Sequence, residues 1–391
     1  MDNFNFYSPT EFVFGKKTET ETGNLLKKYG AKKVLLHYGE GSVIRSGLLD
    51  RIKKSLEESA IPFVELSGVK PNPLDTKVYE GIQLSKKENV DFILAVGGGS
   101  VIDSSKAIAL GSLYDGDFWD FYSGKAKIQQ ALPVGVVLTI AAAGSEGSPN
   151  SVITKQDGLL KRGTGSDLLR PKFSILNPEL TCSLPAYQTA CGITDMMAHV
   201  FERYFTNTKD VELTDRLCEA LLKTIIKEAC RVIKDNSNYE ARANLMWAST
   251  IAHNGLAGVG RSQDWNSHAI EHELSALYDC AHGAGLAVIM PAWMEFVLHH
   301  NVMRFAEMAT RIFNCEMNFE NPEATAKEGI QAFREFLHKI GMPINFKELG
   351  ANPKDIPLLA SKLKDISGVG FLPLSKQDVI SIYEIAAKAT L

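Results

Sequence analysis

The sequence has no run approaching the ~20 apolar residues of a membrane helix, and Met1 to Lys17 lacks the basic-then-apolar layout of a signal peptide. Both absences point to a cytoplasmic protein with no membrane partner. Basic excess is missing too, since 42 Lys and Arg face 46 Asp and Glu for a net charge of −4. Such a balance offers no basic surface for nucleic acid. Cysteines are sparse. Cys182, Cys191, Cys218, Cys230, Cys280 and Cys315 include no CxxC pair, which speaks against a zinc ribbon and against a disulfide framework. Reduced, mostly buried thiols are expected. There is no internal repeat and no low-complexity tract, and the apolar and charged fractions are those of a globular protein.

Histidine is also scarce, and its distribution is informative. Of nine in the chain, His268, His272 and His282 fall within fifteen residues, in DWNSHAIEHELSALYDCAHGAGLAVIMP. His268 and His272 are four apart, so on a helix both project from one face. His282 stands just before Gly283 and Gly285, a pair expected to loosen or end a helix. Upstream, in CGITDMMAHVFERYF, Asp195 and His199 are also four apart. Two helices can thus offer nitrogen and oxygen ligands to one divalent ion and leave a position open for a substrate oxygen. A lone histidine on a helix is more often a core or surface residue; the clustering carries the metal reading, and spacing does not say which histidines ligate. Cys191 and Cys280 lie near these residues but are expected to fall off the His and Asp helical face.

At 391 residues the chain exceeds one ordinary core, so two domains are expected. The first half alternates elements. Lys33 to Tyr38 reads as a buried strand, Gly39 to Ser42 as a turn, Gly47 to Ser59 as an amphipathic helix and Pro62 to Leu66 as a strand. Thr76 to Glu88 follows as helix, Asp91 to Val96 as strand, and Gly97-Gly98-Gly99-Ser100 as a second glycine turn into a helix from Val101 to Gly111. This alternation implies a mainly parallel sheet covered on both faces. Further strands are expected in VGVVLTIAAAGSE, SVITK and FSILNPELTCSLP, and helical periodicity dominates beyond Tyr187. The expected architecture is an α/β dinucleotide-binding domain over 1–185, then an all-helical metal-binding and catalytic domain over 186–391, with cofactor and metal meeting in a cleft.

The GGGS turn is the second chemical signal. Glycines after a strand let the backbone approach a pyrophosphate, and the free amides of the next helix, capped by Ser100, form an anion site. Asp103 is expected to reach back as in a capping box. The pattern departs from G-x-G-x-x-G because Ile102 stands at the last glycine, so alone it equally fits a simple tight turn.

Together these residues resemble a family. GGGSVID from Gly97, AGSE around Gly144, GITDMMAH with Asp195 and His199, and HAIEHELSALYDCAHG with His268, His272 and His282 look like the iron-containing, group III alcohol dehydrogenases. The likeness covers nearly the whole chain and is nearest to the butanol dehydrogenase and broad-range aldehyde reductase branch, which shares the YG-x-GS turn and the QDW and AHGAGLA runs. The resemblance implies that Asp195, His199, His268 and His282 bind Fe²⁺ or Zn²⁺ and that His272 lies near the nicotinamide. It implies that Gly98, Gly99, Ser100 and Asp103 follow the pyrophosphate, with Asn72, Thr139, Ser151, Lys161 and Leu180 lining the rest. Two positions depart from the pattern: Ala143 replaces a common threonine, and Glu40 a common glycine.

These roles imply hydride transfer between a small primary alcohol, such as butanol, and NAD(P), with Asp195 and His268 holding the ion and His272 as proton relay or simple packing partner. A dehydroquinate-synthase-like lyase would need several Lys and Arg beside the metal for its phosphorylated substrate, and the segments around Asp195 and His268 are poor in them. A glycerol-type polyol dehydrogenase of the same fold is the other alternative, and Trp265, Trp293 and Phe296 favour a more apolar substrate. NADP(H) is expected to be somewhat preferred over NAD(H), because Gly39 offers no carboxylate against a 2′-phosphate while Gly41 and Ser42 offer amides and a hydroxyl. Glu40 pulls the other way if it turns inward. A homodimer is expected through the apolar edge strand Glu11 to Phe14.

Overall fold

The structure, a computed structural model, describes residues 1–363, 366 and 370–391. Six strands make one parallel sheet: β1 (Glu11–Phe14), β2 (Val34–Gly39), β3 (Phe63–Val69), β4 (Phe92–Gly97), β5 (Val134–Leu138) and β8 (Phe173–Leu176), in the order β1-β8-β5-β4-β2-β3. Strands β6 (Asn150–Lys155) and β7 (Leu160–Gly165) form a separate antiparallel hairpin. Parallel strands need covered faces, and the central ones are apolar throughout. Along β4, Ile93 and Ala95 enter one core while Phe92, Leu94 and Val96 enter the other, the two-residue alternation of a pleated strand.

The chain runs outward from β2 to β3, then returns to place β4 on the opposite side of β2. The carboxyl ends of β2 and β4 therefore flank the point where strand order reverses, and such points bind ligands in open α/β sheets. The two glycine turns read from the sequence follow these two strands, which pair Tyr38 with Val96. After β4 the helix Gly99–Ser112 begins with Gly98 as its N-cap. A Cβ on Gly98 would lie 2.2 Å from Ile140 Cγ2, so the close approach there requires glycine.

Contact clustering gives two compact units: Tyr7–Leu184 with Ser237–Asn254, and Met1–Phe6 with Pro185–Asn236 and Gly255–Leu391. The helical half of the sequence thus lends the helix Tyr239–His253 to the sheet unit. Trp247 meets Phe12 edge-on with ring centroids 5.6 Å apart, and Thr250 donates to Glu146 at 2.6 Å. Helical periodicity shows that this segment has an apolar face but not which partner covers it.

In the second unit the described elements are all helical, so the expected class, an α/β part followed by an all-helical part, is the one observed. Its central element is His282–Val297, buried nearly all round, as a helix apolar on every side must be. Gly283 and Gly285 do not loosen or end this helix. They lie in its first turn, where a Cβ would stand 2.1 Å from the Cys191 carbonyl oxygen and 2.5 Å from a Glu271 carboxylate oxygen, respectively. Close packing, and not flexibility, accounts for this glycine pair.

One residue of β2 breaks the apolar alternation. His37 is fully buried, with Nδ1 2.8 Å from the Leu66 carbonyl oxygen and Nε2 2.8 Å from Ser104 Oγ. Burial pushes its imidazole down to about 4, so it folds neutral while the unfolded side chain takes a proton near pH 6.5. Its contribution to stability is complete above about pH 6.5 and is lost as pH falls toward 4, at up to about 1.4 kcal/mol per pH unit. Urea midpoints measured at pH 7 and pH 5 will differ less in His37→Asn, which keeps a donor for Leu66 but cannot titrate, than in the wild type.

Candidate active site

Three helices of the second unit deliver the histidine cluster. Ala186–Tyr204 carries Asp195 and His199, Asn266–Tyr278 carries His268 and His272, and His282 opens His282–Val297. Asp279, in the left-handed conformation with φ 49°, ends the second helix and lets the chain turn back into the third.

Asp195 Oδ1 lies 3.8 Å from His268 Nε2, 3.8 Å from His282 Nε2 and 3.0 Å from His199 Nδ1. Two bonds of about 2.1 Å to one ion span at most about 4.2 Å, so these separations suit shared coordination. Asp195, His268 and His282 form one group whose donor atoms all lie within 4.8 Å of one another, and Glu271, His272 and His282 form another. His199 falls in neither group, although its ring centroid is 4.4 Å from that of His268. Its Nδ1 also lies 2.9 Å from the carbonyl oxygen of Asp195, which turns the ring back along its own helix. His272 is half-buried, with its ring 5.6 Å from that of His282.

Whether a cation fits can be judged from the polar atoms themselves. Asp195 Oδ1 and His268 Nε2 are both buried without a hydrogen-bond partner, a costly condition unless something else binds them. A divalent ion satisfies both. Burial alone would raise the Asp195 carboxyl, but the imidazoles of His199, His282 and His268 hold it well below the usual carboxylate range. Behind the rings stand two carboxylates with no exposed surface. Glu202 lies 2.5 Å from His268 Nδ1 and accepts its backbone N–H at 3.0 Å, and Glu271 meets His282 Nδ1 and the Ser275 hydroxyl. Neither glutamate stands out from composition. Their sequence signal is a carboxylate three residues beyond a histidine, Glu202 after His199 and Glu271 after His268, on helices whose neighbouring positions are buried.

The cysteines need a correction. Cys191 is four residues before Asp195 and so lies on its face of the helix, not off it. Its thiol is nevertheless pushed up to about 12 by burial and by the Asp195 charge, against a hydrogen bond with Tyr187 that lowers it. It belongs to neither convergent group.

The residues assigned to the dinucleotide all fall in the sheet unit. Gly39 ends β2, Gly41 precedes the short helix Ser42–Arg45, and Gly98, Gly99 and Ser100 form the start of Gly99–Ser112. No side chain caps that helix, so Ser100 is not its cap and the first amides stay available. Asp103 does not form a capping box. Its carboxylate accepts from Ser145 Oγ at 2.6 Å and from the Val152 amide at 2.9 Å, and its carbonyl accepts from Ser151 at 2.8 Å. The Thr139 amide donates to Gly97, Lys161 Nζ donates to Asn72 Oδ1 at 3.0 Å, and Leu180 packs on the core of Tyr38 and Val96. Lys106, which sequence reasoning passed over, is fully buried one turn past Asp103. Its ammonium donates to the carbonyl oxygens of Ser145, Ser148 and Asn150 and ties that loop to the helix.

A parallel sheet with a glycine turn at its switch point, joined to a helical unit holding an imidazole and carboxylate cluster, describes the class of metal-dependent nicotinamide oxidoreductases. The comparisons narrow it. The family model "Iron-containing alcohol dehydrogenase" matches residues 9–178, and "Fe-containing alcohol dehydrogenase family, C-terminal" matches 189–387. A probable NADH-dependent butanol dehydrogenase of Bacillus subtilis is 43% identical, over 98% of this chain and 99% of its own. The NADPH-dependent aldehyde reductase YqhD of Escherichia coli is 34% identical over 93% and 94%. The crystal structure of an NADH-dependent butanol dehydrogenase A from Thermotoga maritima superposes with a TM-score of 0.96 at 43% identity, covering 99% of each chain. The chain belongs to the iron-containing alcohol dehydrogenase family.

Removing one imidazole should unseat the ion without unfolding the helices that carry it. His268→Ala and His282→Ala are expected to lose at least tenfold in metal content after dialysis, with turnover falling in parallel and helical circular dichroism unchanged. Elemental analysis beside activity assays reads this. A His282→Ala protein with full metal and full rate would rule the assignment out.

Proposed function

We propose that this protein interconverts small primary alcohols, butanol among them, and the corresponding aldehydes, using NAD(P)(H). Residues 1–185 serve the dinucleotide and 186–391 the metal. The observation that carries the reading is the pair of buried, unpartnered atoms, Asp195 Oδ1 and His268 Nε2, facing each other at 3.8 Å. Asp195, His199, His268 and His282 are the proposed ligands, and this donor set accepts either Fe²⁺ or Zn²⁺. When bound, the ion supplies Lewis acidity that acidifies an alcohol or polarises an aldehyde, and the nicotinamide supplies or takes the hydride.

The chain's own residues do the rest. The uncapped amides of Gly99–Ser112 and the turn at Gly98 receive the pyrophosphate. His272, half-buried beside His282, passes the alcohol proton toward solvent. Of the three aromatics read as favouring an apolar substrate, Trp265 is beside the cluster, its ring 5.6 Å from that of His268. Trp293 is fully buried against Phe205 and cannot line a substrate pocket. An apolar wall on this side suits a short alkyl chain better than a polyol.

NADP(H) is proposed as the preferred dinucleotide. Gly39 presents no carboxylate, the Arg45 guanidinium lies against Gly41, and Lys70 stands 4.0 Å from the exposed Glu40. These cations favour a 2′-phosphate, and solvent screens Glu40. The relatives' names divide, with NADH in the butanol dehydrogenases and NADPH in the aldehyde reductase. No described helix is long and apolar enough to cross a membrane, and a cytoplasmic location is proposed. Strand β1 pairs with β8 on one side and ends the sheet on the other, which supports a homodimer built on that edge. Light scattering at micromolar concentration should read twice the chain mass; a monomer mass refutes the dimer.

Loss of NAD(P)H absorbance with butanal tests the activity, and kcat/KM with each reduced cofactor tests the preference. The wild type should favour NADPH, Glu40→Gly should strengthen that bias, and Arg45→Ala should weaken it by roughly tenfold, the worth of one charged hydrogen bond. A preference for NADH that survives Glu40→Gly would show that this turn does not select the phosphate.

A further inference from the structure

We propose that Glu202 and Glu271 are positioning residues that set the proton on His268 and His282 and thereby aim their Nε2 atoms at the metal. The inference rests on the metal site proposed above and concerns what makes that site bind. A neutral imidazole has one N–H and one bare nitrogen, and only the bare nitrogen can ligate. An ionised carboxylate facing one ring nitrogen has no proton to give, so that nitrogen keeps the N–H and donates it. Both rings present Nδ1 to a carboxylate and Nε2 to Asp195. Each glutamate therefore leaves Nε2 as the bare nitrogen.

The two supports are built differently. Glu202 sits on the helix of Asp195 and His199 and grips the next helix at two points, the ring and the backbone N–H of His268. Glu271 sits on the helix of His268 and reaches the ring of His282 on the third, while Ser275, one turn further along, donates to its other oxygen. Space for Glu271 comes from Gly285. A methyl group there would stand 2.5 Å from its Oε1, 2.8 Å from Cγ and 3.0 Å from Cδ. His199 has a different arrangement, with the Asp195 backbone carbonyl beside its Nδ1. Two of the three imidazoles thus have a full negative charge behind them, which raises their donor strength toward a cation.

Replacing either glutamate by glutamine keeps the shape and removes the charge. The amide can also turn its NH₂ toward Nδ1, which draws the proton to Nε2 and blocks ligation. The test titrates metal-free protein with Zn²⁺ against a competing chelator, for wild type, Glu202→Gln, Glu271→Gln, Ser275→Ala, Gly285→Ala and the reference His282→Ala. Visible spectra of the Co²⁺-loaded proteins report the ligand field, and thermal unfolding without metal reports the fold. Glu202→Gln and Glu271→Gln are expected to bind Zn²⁺ roughly 10- to 100-fold more weakly with shifted Co²⁺ bands, while unfolding temperatures stay close to wild type. Gly285→Ala should weaken binding too, by displacing Glu271 while leaving every ligand in place. Should a glutamine variant fail to fold, Ser275→Ala carries the test with a smaller loss of several-fold. Zn²⁺ affinity within about threefold of wild type and unshifted Co²⁺ spectra in the glutamate variants overturn the inference. If His282→Ala also binds Zn²⁺ like wild type, the metal site itself is what fails.

Discussion

Everything in the helical unit answers to one electrostatic constraint, the burial of the Asp195 carboxylate with a bare nitrogen opposite it. A carboxylate taken out of water costs several kcal/mol unless it is paired and hydrogen-bonded. Asp195 is only 5% exposed, and the unpartnered Oδ1 faces imidazoles rather than a lysine or arginine. The composition of the cluster follows from that. With Glu202 and Glu271 buried behind the rings, three carboxylates surround one small volume, and neutral imidazoles alone do not compensate them. A divalent cation does, which is why binding and folding of this region are expected to be coupled. The central helix His282–Val297 contributes by packing: its first-turn glycines let the Cys191 backbone and the Glu271 carboxylate come as close as the arrangement needs.

In the sheet unit the governing constraint is topological. Parallel strands covered on both faces leave their carboxyl ends as the open surface, and the reversal of strand order between β2 and β4 puts two turns side by side. The chain spends its glycines there. Buried polar groups then stiffen the turn after β4. Asp103 and Lys106, one turn apart on Gly99–Ser112, bind the segment from Ser145 to Val152 through side chain and backbone. Burial raises Asp103 and pushes Lys106 down to about 8, while each draws the other back toward its charged form. The pair shapes the site from within.

Much of this was legible in the residues. Strands with continuous apolar runs, such as Asp91 to Val96 and Lys33 to Tyr38, fell within a residue or so of β4 and β2, because buried parallel strands have a strong compositional signature. The i, i+4 spacing of Asp195 with His199 marked a shared helical face. Other features were not legible, each for a physical reason. The hairpin β6–β7 has no alternating face to announce it. Gly283 and Gly285 read as helix breakers, because sequence shows a glycine's freedom and not the neighbour that needs its lack of a side chain. Asp103 looked like a cap, because a carboxylate near a helix start has a local partner in principle, and only the fold revealed its distant one. Glu202 and Glu271 look like ordinary helix-surface glutamates until three helices close around them.

The account turns on the claim that nitrogen and oxygen atoms of Asp195, His199, His268 and His282 hold the ion and that the neighbouring thiols do not. X-ray absorption at the metal edge of the loaded protein measures this directly. The account predicts a first shell of nitrogen and oxygen at about 2.0–2.2 Å, with the outer-shell scattering of three imidazoles and no sulfur. A sulfur scatterer at about 2.3 Å, or the signature of fewer than two imidazoles, would contradict it.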